Sequence, residues 1–165
     1  MKINLTSTSS KLKKANNSTP FFSLKNKFKL CKVVDVYDGD TCKVVFSLKG
    51  EIYRWNVRLE GYDTPELRPS KSKENRDEEI ASAKRARDYL SKLVMNEAQL
   101  VYIKCGEFDK YGRLLGTLFL NEKDTKSVNQ IMIDNGHGYK YDGGTKKKFN
   151  EIKDSSKDNE NIKII

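Results

Sequence analysis

Apolar and polar residues alternate in five short runs along the chain, and turn residues bound each run. Alternation with a period of two, carried by Val, Ile, Phe, Tyr and Trp, is typical of half-buried β-strands. The five predicted strands cover residues 30–38, 41–48, 52–60, 98–105 and 113–120. Asp-Gly and Lys-Gly turns separate the first three runs, which predicts a three-stranded meander.

The spacing of apolar residues changes between the third and fourth predicted strands. From Asp77 to Met95 they recur at helical intervals, which predicts an amphipathic helix. Acidic residues begin this segment and basic residues follow, as the helix dipole favours. A shorter helix is predicted at 126–135 with Gly136 as its stop, and a last amphipathic helix within 145–156.

The order of these elements predicts an α+β fold. Five strands are too few to cover both faces of an open sheet, so closing them into a barrel buries the apolar face. A five-stranded barrel with a helix between its third and fourth strands has the order of an OB-fold. We therefore expect a five-stranded OB-fold-type β-barrel with about three helices, within residues 30–155.

The two ends of the chain lack this periodicity. Residues 1–29 are rich in Lys, Ser, Asn and Thr, which predicts a basic, disordered N-terminal tail, and residues 156–165 are expected to fray. Most of the formal charge of +9 lies at the N-terminus: residues 1–30 hold seven lysines and no acid, against 25 basic and 23 acidic residues in the rest. A solvated leader accounts for this charge run, and so does a contact with polyphosphate.

Signals for export, for a membrane span or for a zinc site are weak in this sequence. No apolar run approaches the roughly 20 residues that a membrane span needs, and FFSL at 21–24 is too short for a signal-peptide core. We expect an intracellular, cytoplasmic protein, with organelle targeting by the basic N-terminus left open. Cys31, Cys42 and Cys105 have no metal-site spacing, and the chain holds one His, which argues against zinc.

Three segments at predicted strand ends hold a concentration of carboxylates and arginines. They are DGDT at 38–41, RLEGYDTPE at 58–66 and DKYGR at 109–113. Arg58 and Arg113 are candidates for binding phosphate, because the guanidinium fork donates two hydrogen bonds and keeps its charge. Each segment alone is an ordinary turn or loop. Their combination favours metal-assisted phosphodiester hydrolysis.

The acidic residues of these segments divide into metal ligands and a base. Asp40 and Asp63 are candidate metal ligands together with the backbone carbonyl of Thr64. Oxygen-only ligation with few charges suits Ca²⁺ better than a softer metal. Glu66 is the candidate general base that takes the proton of the attacking water.

The same segments resemble the motifs of the staphylococcal nuclease family, from about Cys31 to about Phe149. The stretches that carry the resemblance are VYDGDT, VRLEGYDTPE, DKYGR, SVNQIMIDNGHG and YDGGTKKKF. The resemblance implies a five-stranded OB-type barrel with three helices. It also implies a Ca²⁺-dependent phosphodiesterase that acts on DNA and RNA and leaves 3′-phosphates.

By position, the resemblance implies the same roles as above: Asp40, Asp63 and the Thr64 carbonyl as metal ligands and Glu66 as the base. It likewise implies that the two arginines of these segments bind the phosphate. It also implies that Lys110 and Tyr111 touch a terminal phosphate of the bound nucleotide. Tyr139 and Tyr141 are candidates for the substrate side, although a structural role suits them equally well. The loop after Glu66 is long and charged here, which is a departure that affects substrate entry.

Two alternatives to catalysis stay open. Some domains with this barrel bind RNA or modified peptides instead, but they usually lack several of the carboxylates and arginines that this chain retains. An OB-type barrel also binds single strands through aromatic side chains on a strand face, and the sequence leaves the direction of residues such as Tyr53, Trp55, Tyr102 and Phe119 open. The prediction is a monomeric nuclease for DNA, RNA or both, with little sequence preference.

Overall fold

The fold is a small β-barrel with helices packed around it, seen in a computed structural model that describes residues 5–95 and 100–152. The elements in chain order are α1 (Leu5–Lys14), β1 (Phe28–Val36), β2 (Thr41–Leu48), β3 (Glu51–Leu59), β4 (Tyr62–Asp63), α2 (Arg76–Val94), β5 (Val101–Phe108), β6 (Leu114–Phe119), α3 (Val128–Asp134) and β7 (Tyr139–Lys140). A further helical stretch covers residues 149–152. The predicted frayed end, 156–165, lies outside the described residues.

Five strands form a closed barrel in the order β1-β2-β3-β6-β5. The first three pair as an antiparallel meander, and β5 and β6 form a second antiparallel pair that also joins β1. The barrel closes where β3 and β6 run parallel, with Val57 opposite Leu114. The predicted α+β fold with a five-stranded OB-type barrel is therefore confirmed.

Alternating side chains fill the barrel interior. In β2 the buried residues are Cys42, Val44 and Phe46, and the residues between them are half-buried or exposed. In α2 the buried residues are spaced three and four apart: Glu79, Ala83, Ala86, Leu90 and Val94. The burial patterns of β2 and α2 both agree with the periods predicted from the sequence. The buried face of α2 differs from a purely apolar one because it includes the acid Glu79. No described helix is long and apolar enough to cross a membrane.

The N-terminal segment differs from the predicted disordered tail at two places. The helix α1 covers Leu5–Lys14, and its side chains from residue 7 onward are exposed. The segment before β1 joins the barrel, because the Asn26 amide donates to the Cys105 carbonyl at 2.8 Å and Leu24 is only 2 % exposed. Residues 24–29 therefore belong with the barrel, since a buried Leu and backbone pairing outweigh their polar composition.

A buried carboxylate on α2 anchors the long loop that follows β4. Glu79 is 2 % exposed, and its Oε1 accepts hydrogen bonds from the Glu66 backbone amide at 3.3 Å and from Lys73 Nζ at 2.9 Å. Lys73 Nζ also lies 2.7 Å from Oε2. The two ends of the loop are thereby tied to one carboxylate, which fixes the backbone at Glu66.

A buried asparagine joins α3 to the barrel. Asn129 is 5 % exposed, and its Oδ1 accepts the Leu118 amide at 3.0 Å. Its Nδ2 donates to the carbonyls of Glu60 at 2.8 Å and Gly116 at 3.2 Å. One side chain thus satisfies three backbone groups of β6 and of the turn after β3.

We expect Asn129→Ala to lower the free energy of unfolding by about 2–4 kcal/mol, because buried backbone groups lose their partners. Urea unfolding of the purified protein measures the loss. The matched control is Gln130→Ala, whose side chain bonds the exposed Asp134, and it should cost less than about 1 kcal/mol. Equal losses in the two variants would contradict a joining role for Asn129.

We expect Glu79→Gln to loosen the loop between Glu66 and Lys73, because a neutral amide cannot hold the Lys73 ammonium and the Glu66 amide equally well. Amide hydrogen exchange across the loop should speed up about tenfold, the equivalent of about 1.4 kcal/mol. The control is Glu74→Gln, at an exposed position of the same loop. Exchange rates that match between the two variants would show that Glu79 does not anchor the loop.

Candidate active site

The three motif segments meet at one cleft of about 440 Å³. They are the β1–β2 turn at 38–41, the stretch 58–66 around the end of β3 and β4, and the β5–β6 loop at 109–113. The residues that line the cleft are Asp38, Asp40, Thr41, Arg58, Asp63, Thr64, Pro65, Glu66, Lys110, Tyr111, Arg113, Tyr141, Gly143 and Lys146. Nine of the ten site residues predicted from the sequence are among them, and Tyr139 lines an adjoining cleft of about 910 Å³ instead.

Close packing fixes the turn that carries Asp40. The Tyr62 hydroxyl donates to the Gly39 carbonyl at 2.7 Å. A Cβ atom at Gly39 would lie 2.8 Å from both Ala86 Cβ and Thr64 Cγ2, so no larger residue fits there without a shift. The glycine lets the turn approach α2 and β4 closely, and this approach places the carboxyl of Asp40 beside that of Asp63.

Arg58 joins the two candidate metal ligands. Its Nη1 lies 2.7 Å from Asp40 Oδ2, and its Nη2 donates to Asp63 Oδ1 at 2.7 Å. Nη1 also donates to the Leu59 carbonyl at 2.9 Å, which orients the guanidinium plane. All three charged side chains are largely buried, with 12 % of Arg58, 8 % of Asp40 and 3 % of Asp63 exposed. The planar fork therefore balances two buried carboxylates at once.

Burial raises the pKa of Asp40 well above its usual range, and the neighbouring Arg58 charge opposes this shift. The nearby Asp38 carboxyl adds to the rise. A carboxylate in such a place is ionised only in the company of a cation. Arg58 supplies that cation in this structure.

Asp63 is held from a second side by the segment that follows α3. The Tyr139 hydroxyl donates to Asp63 Oδ2 at 2.8 Å and accepts from the Lys147 amide at 3.1 Å. Burial, together with the bond to Asp63, raises the pKa of Tyr139, so its hydroxyl stays protonated as a donor. Tyr139 is 7 % exposed and acts here as a partner of Asp63; its contact with substrate stays a prediction.

Lys146 is a site residue that the sequence analysis did not identify. Its Nζ donates to Glu66 Oε1 at 2.7 Å and lies 3.2 Å from Asp63 Oδ1. Burial alone lowers the pKa of Lys146, but the bond to Glu66 and the charges of Asp63 and Glu66 outweigh it and raise the pKa. Three consecutive lysines, 146–148, look alike in the sequence, and only the fold distinguishes this one.

Asp109 orients Arg113 within the DKYGR loop. Asp109 Oδ2 accepts from Arg113 Nε at 2.7 Å, and Oδ1 accepts the backbone amides of Tyr111 and Arg113, each at 2.9 Å. Burial alone would raise the pKa of Asp109, but these hydrogen bonds lower it, so the carboxyl is ionised at neutral pH. The sequence analysis included this loop but assigned no role to Asp109.

The remaining predicted substrate contacts lie at the rim of the cleft. Tyr111 is 73 % exposed, with Lys110 Nζ 5.1 Å and Arg113 Cζ 5.6 Å from its ring centroid. The Tyr141 hydroxyl donates to the Gly144 carbonyl at 2.8 Å. An exposed ring flanked by two cations suits contact with an anionic ligand, whereas Tyr141 also supports its own loop.

The oxygen ligands present are compatible with a hard divalent cation. Within 5–95 and 100–152, no group of three or more His, Cys, Asp or Glu side chains gathers as a metal cluster. The available set is two carboxylates, Asp40 and Asp63, with Thr64 between β4 and the loop, and all three residues are at most 5 % exposed. Both carboxylates already converge on one cationic group, Arg58. Such a sparse oxygen set leaves positions for water and is compatible with a hard divalent cation such as Ca²⁺.

Comparison with known proteins identifies the family of this chain. The model of a family described as staphylococcal nuclease homologue matches residues 56–162, which include the second and third motif segments and both α2 and α3. No curated protein matches the chain. Because the family match spans more than half of the sequence, the chain belongs to the staphylococcal nuclease homologue family.

Proposed function

We propose that this protein is a Ca²⁺-dependent nuclease that hydrolyses phosphodiester bonds of DNA, RNA or both with little sequence preference. Its membership in a nuclease-type family gives the reaction class. The observation that carries the proposal is the single cleft where two buried carboxylates, Glu66 and two arginines meet. These groups are the ones that hydrolysis of an anionic ester needs.

Asp40, Asp63 and the Thr64 carbonyl are the proposed ligands of Ca²⁺. When bound, the ion supplies positive charge that neutralises phosphate oxygens and favours an activated water. The carboxyls of Asp40 and Asp63 support this proposal, because both are buried and both already contact a cationic group, the guanidinium of Arg58. The bond from Tyr139 leaves Asp63 Oδ1 directed at the shared centre.

Arg113 and Arg58 are the proposed phosphate-binding pair. Arg113 is oriented through Nε by Asp109, and its side chain is 32 % exposed to the cleft and solvent. Arg58 serves as a counter-ion of Asp40 and Asp63 in this structure. While it keeps these contacts, Arg58 is also proposed to donate to the phosphate, whose charge grows on the equatorial oxygens in the transition state.

Glu66 is the proposed general base. Its carboxyl is 52 % exposed, so water reaches it, and its backbone amide is held by Glu79. Glu66 takes a proton from the water whose oxygen bonds to phosphorus, while the bond between phosphorus and the 5′ oxygen breaks. The leaving alkoxide takes a proton from solvent, and the phosphate stays on the 3′ oxygen. Lys110 and Tyr111 are proposed to contact a terminal phosphate.

A role limited to binding is the alternative that this proposal must exclude. Some aromatic side chains do lie on the barrel surface: Phe28 is 43 % exposed and stacks on Tyr102 with ring centroids 5.5 Å apart. Such rings suit stacking with bases. A binding surface, however, gives no reason to keep two buried acids, Asp40 and Asp63, at a single arginine.

We expect the purified protein to degrade heat-denatured DNA, or RNA of similar length, when Ca²⁺ is present and to stop when a chelator removes the ion. Gel electrophoresis follows the digestion. Fragments with 3′-phosphates carry free 5′-hydroxyls, which a polynucleotide kinase should label without prior phosphatase treatment. Complete digestion under chelation contradicts the metal site. Binding of the nucleic acid without any cleavage in Ca²⁺ favours the binding role instead.

We expect Arg113→Ala to reduce kcat by about 10²–10³, the scale of about 3–4 kcal/mol for a lost donor to the transition state. The unfolding midpoint should change little, since Arg113 is partly exposed and Asp109 keeps its bonds to the backbone amides of residues 111 and 113. The matched control is Arg54→Ala, at an exposed position of β3, and it should keep its kcat. A parent-like kcat for Arg113→Ala would remove this residue from the chemistry.

A further inference from the structure

The ammonium group of Lys146 lies between two carboxylates of the cleft. Its Nζ is 2.7 Å from Glu66 Oε1 and 3.2 Å from Asp63 Oδ1. The same Asp63 Oδ1 also accepts from Arg58 Nη2 at 2.7 Å. One oxygen of a proposed Ca²⁺ ligand is thus shared by two side-chain cations, and any third cation must compete with them.

The two side-chain cations differ in how easily they can leave. Arg58 is 12 % exposed, bonds both Asp40 and Asp63, and is held by the Leu59 carbonyl. Lys146 is 51 % exposed and reaches the carboxylates from a surface segment between β7 and the last helical stretch. A half-exposed ammonium on a long flexible stem regains hydration and rotamer freedom when released, so its pairs are weak.

We propose that Lys146 is a built-in competitor of the divalent cation: it neutralises Asp63 and Glu66 in the metal-free protein and is displaced when Ca²⁺ binds. This inference rests on the proposed function, because it takes Asp63 as a metal ligand. It adds that the affinity for Ca²⁺ is set partly by a side chain that is not itself a ligand. The displaced ammonium is then available near the substrate phosphate.

The competition has a definite sign and size. Displacing Lys146 costs its two ion pairs, so a variant without the charge binds Ca²⁺ more tightly. Half-exposed pairs of this kind correspond to an affinity change of roughly three- to tenfold for the two together. Loss of the charge also leaves Asp63 and Glu66 less balanced in the absence of metal, which lowers the stability of the metal-free protein.

Calorimetric titration with Ca²⁺ alone, in the absence of nucleic acid, tests the inference. Lys146→Met keeps the length of the side chain without its charge and should bind Ca²⁺ roughly three- to tenfold more tightly than the parent. Lys146→Arg keeps the charge and should stay near the parent. Lys148→Met removes an exposed charge two residues away and should change the affinity less than twofold.

Thermal melting provides the second measurement. In chelator, Lys146→Met should melt below the parent and below Lys148→Met, and saturating Ca²⁺ should close most of this gap. Equal Ca²⁺ affinities for the parent and all three variants would overturn the competition while leaving the metal site intact. Weaker binding by Lys146→Met would overturn it too, since Lys146 would then support the ligands. A parent protein that binds no Ca²⁺ would overturn both the competition and the proposed metal dependence.

Discussion

The ion pairs of Arg58 with Asp40 and Asp63 are the contact on which the rest of the site depends. Two acids whose side chains are 8 % and 3 % exposed need a positive charge beside them, because an unpaired charge in the protein interior is costly. Asp40 belongs to the β1–β2 turn and Asp63 to β4, so one guanidinium also ties together two separate parts of the chain. Removing one partner of a buried pair typically costs about 3–5 kcal/mol, which makes Arg58 a structural residue as well as a proposed phosphate ligand. Arg113 is more exposed than Arg58, so its substitution tests a role in phosphate binding with less effect on stability.

The barrel supplies the rigidity that this arrangement needs. The Tyr62 hydroxyl and the small Gly39 hold the β1–β2 turn against β4 and α2, and Asn129 holds the turn after β3 to α3. These uncharged contacts fix the backbone segments that carry Arg58, Asp40 and Asp63, and so hold the three charged side chains close together. The proposed base is placed differently: the backbone of Glu66 is anchored by Glu79, while its carboxyl lies in solvent beside Lys146. The proposed metal ligands are thus buried, whereas the carboxyl of the proposed base is reached by water.

Much of the fold could be predicted because its signals are local. Buried and less buried residues alternate in β2, and buried residues recur every three or four positions in α2. Each pattern arises because a single strand or helix packs one side against the interior. The family motifs in the sequence were sufficient to predict nine of the ten site residues, and these nine line the cleft. What could not be predicted depends on contacts distant in sequence: the Tyr139 hydroxyl bonds Asp63 across 76 positions, and Lys146 bonds Glu66 across 80. Glu79 does have a local signal in the sequence: it lies four positions before Ala83, in register with the apolar residues of α2. A buried acid at such a position needs a partner.

Most of the net positive charge lies in a different part of the sequence from the segments that line the cleft. Four acids, Asp38, Asp40, Asp63 and Glu66, and four bases, Arg58, Lys110, Arg113 and Lys146, line the cleft, so without a metal ion it presents little net charge to a polyanion. Most of the formal charge of +9 lies elsewhere, in the first 30 residues with their seven lysines. A phosphate bound in this balanced cleft, as proposed, would have to replace existing ion pairs, so its recognition would depend on geometry. The N-terminal lysines are the proposed source of salt-sensitive contacts with nucleic acid that are independent of its sequence.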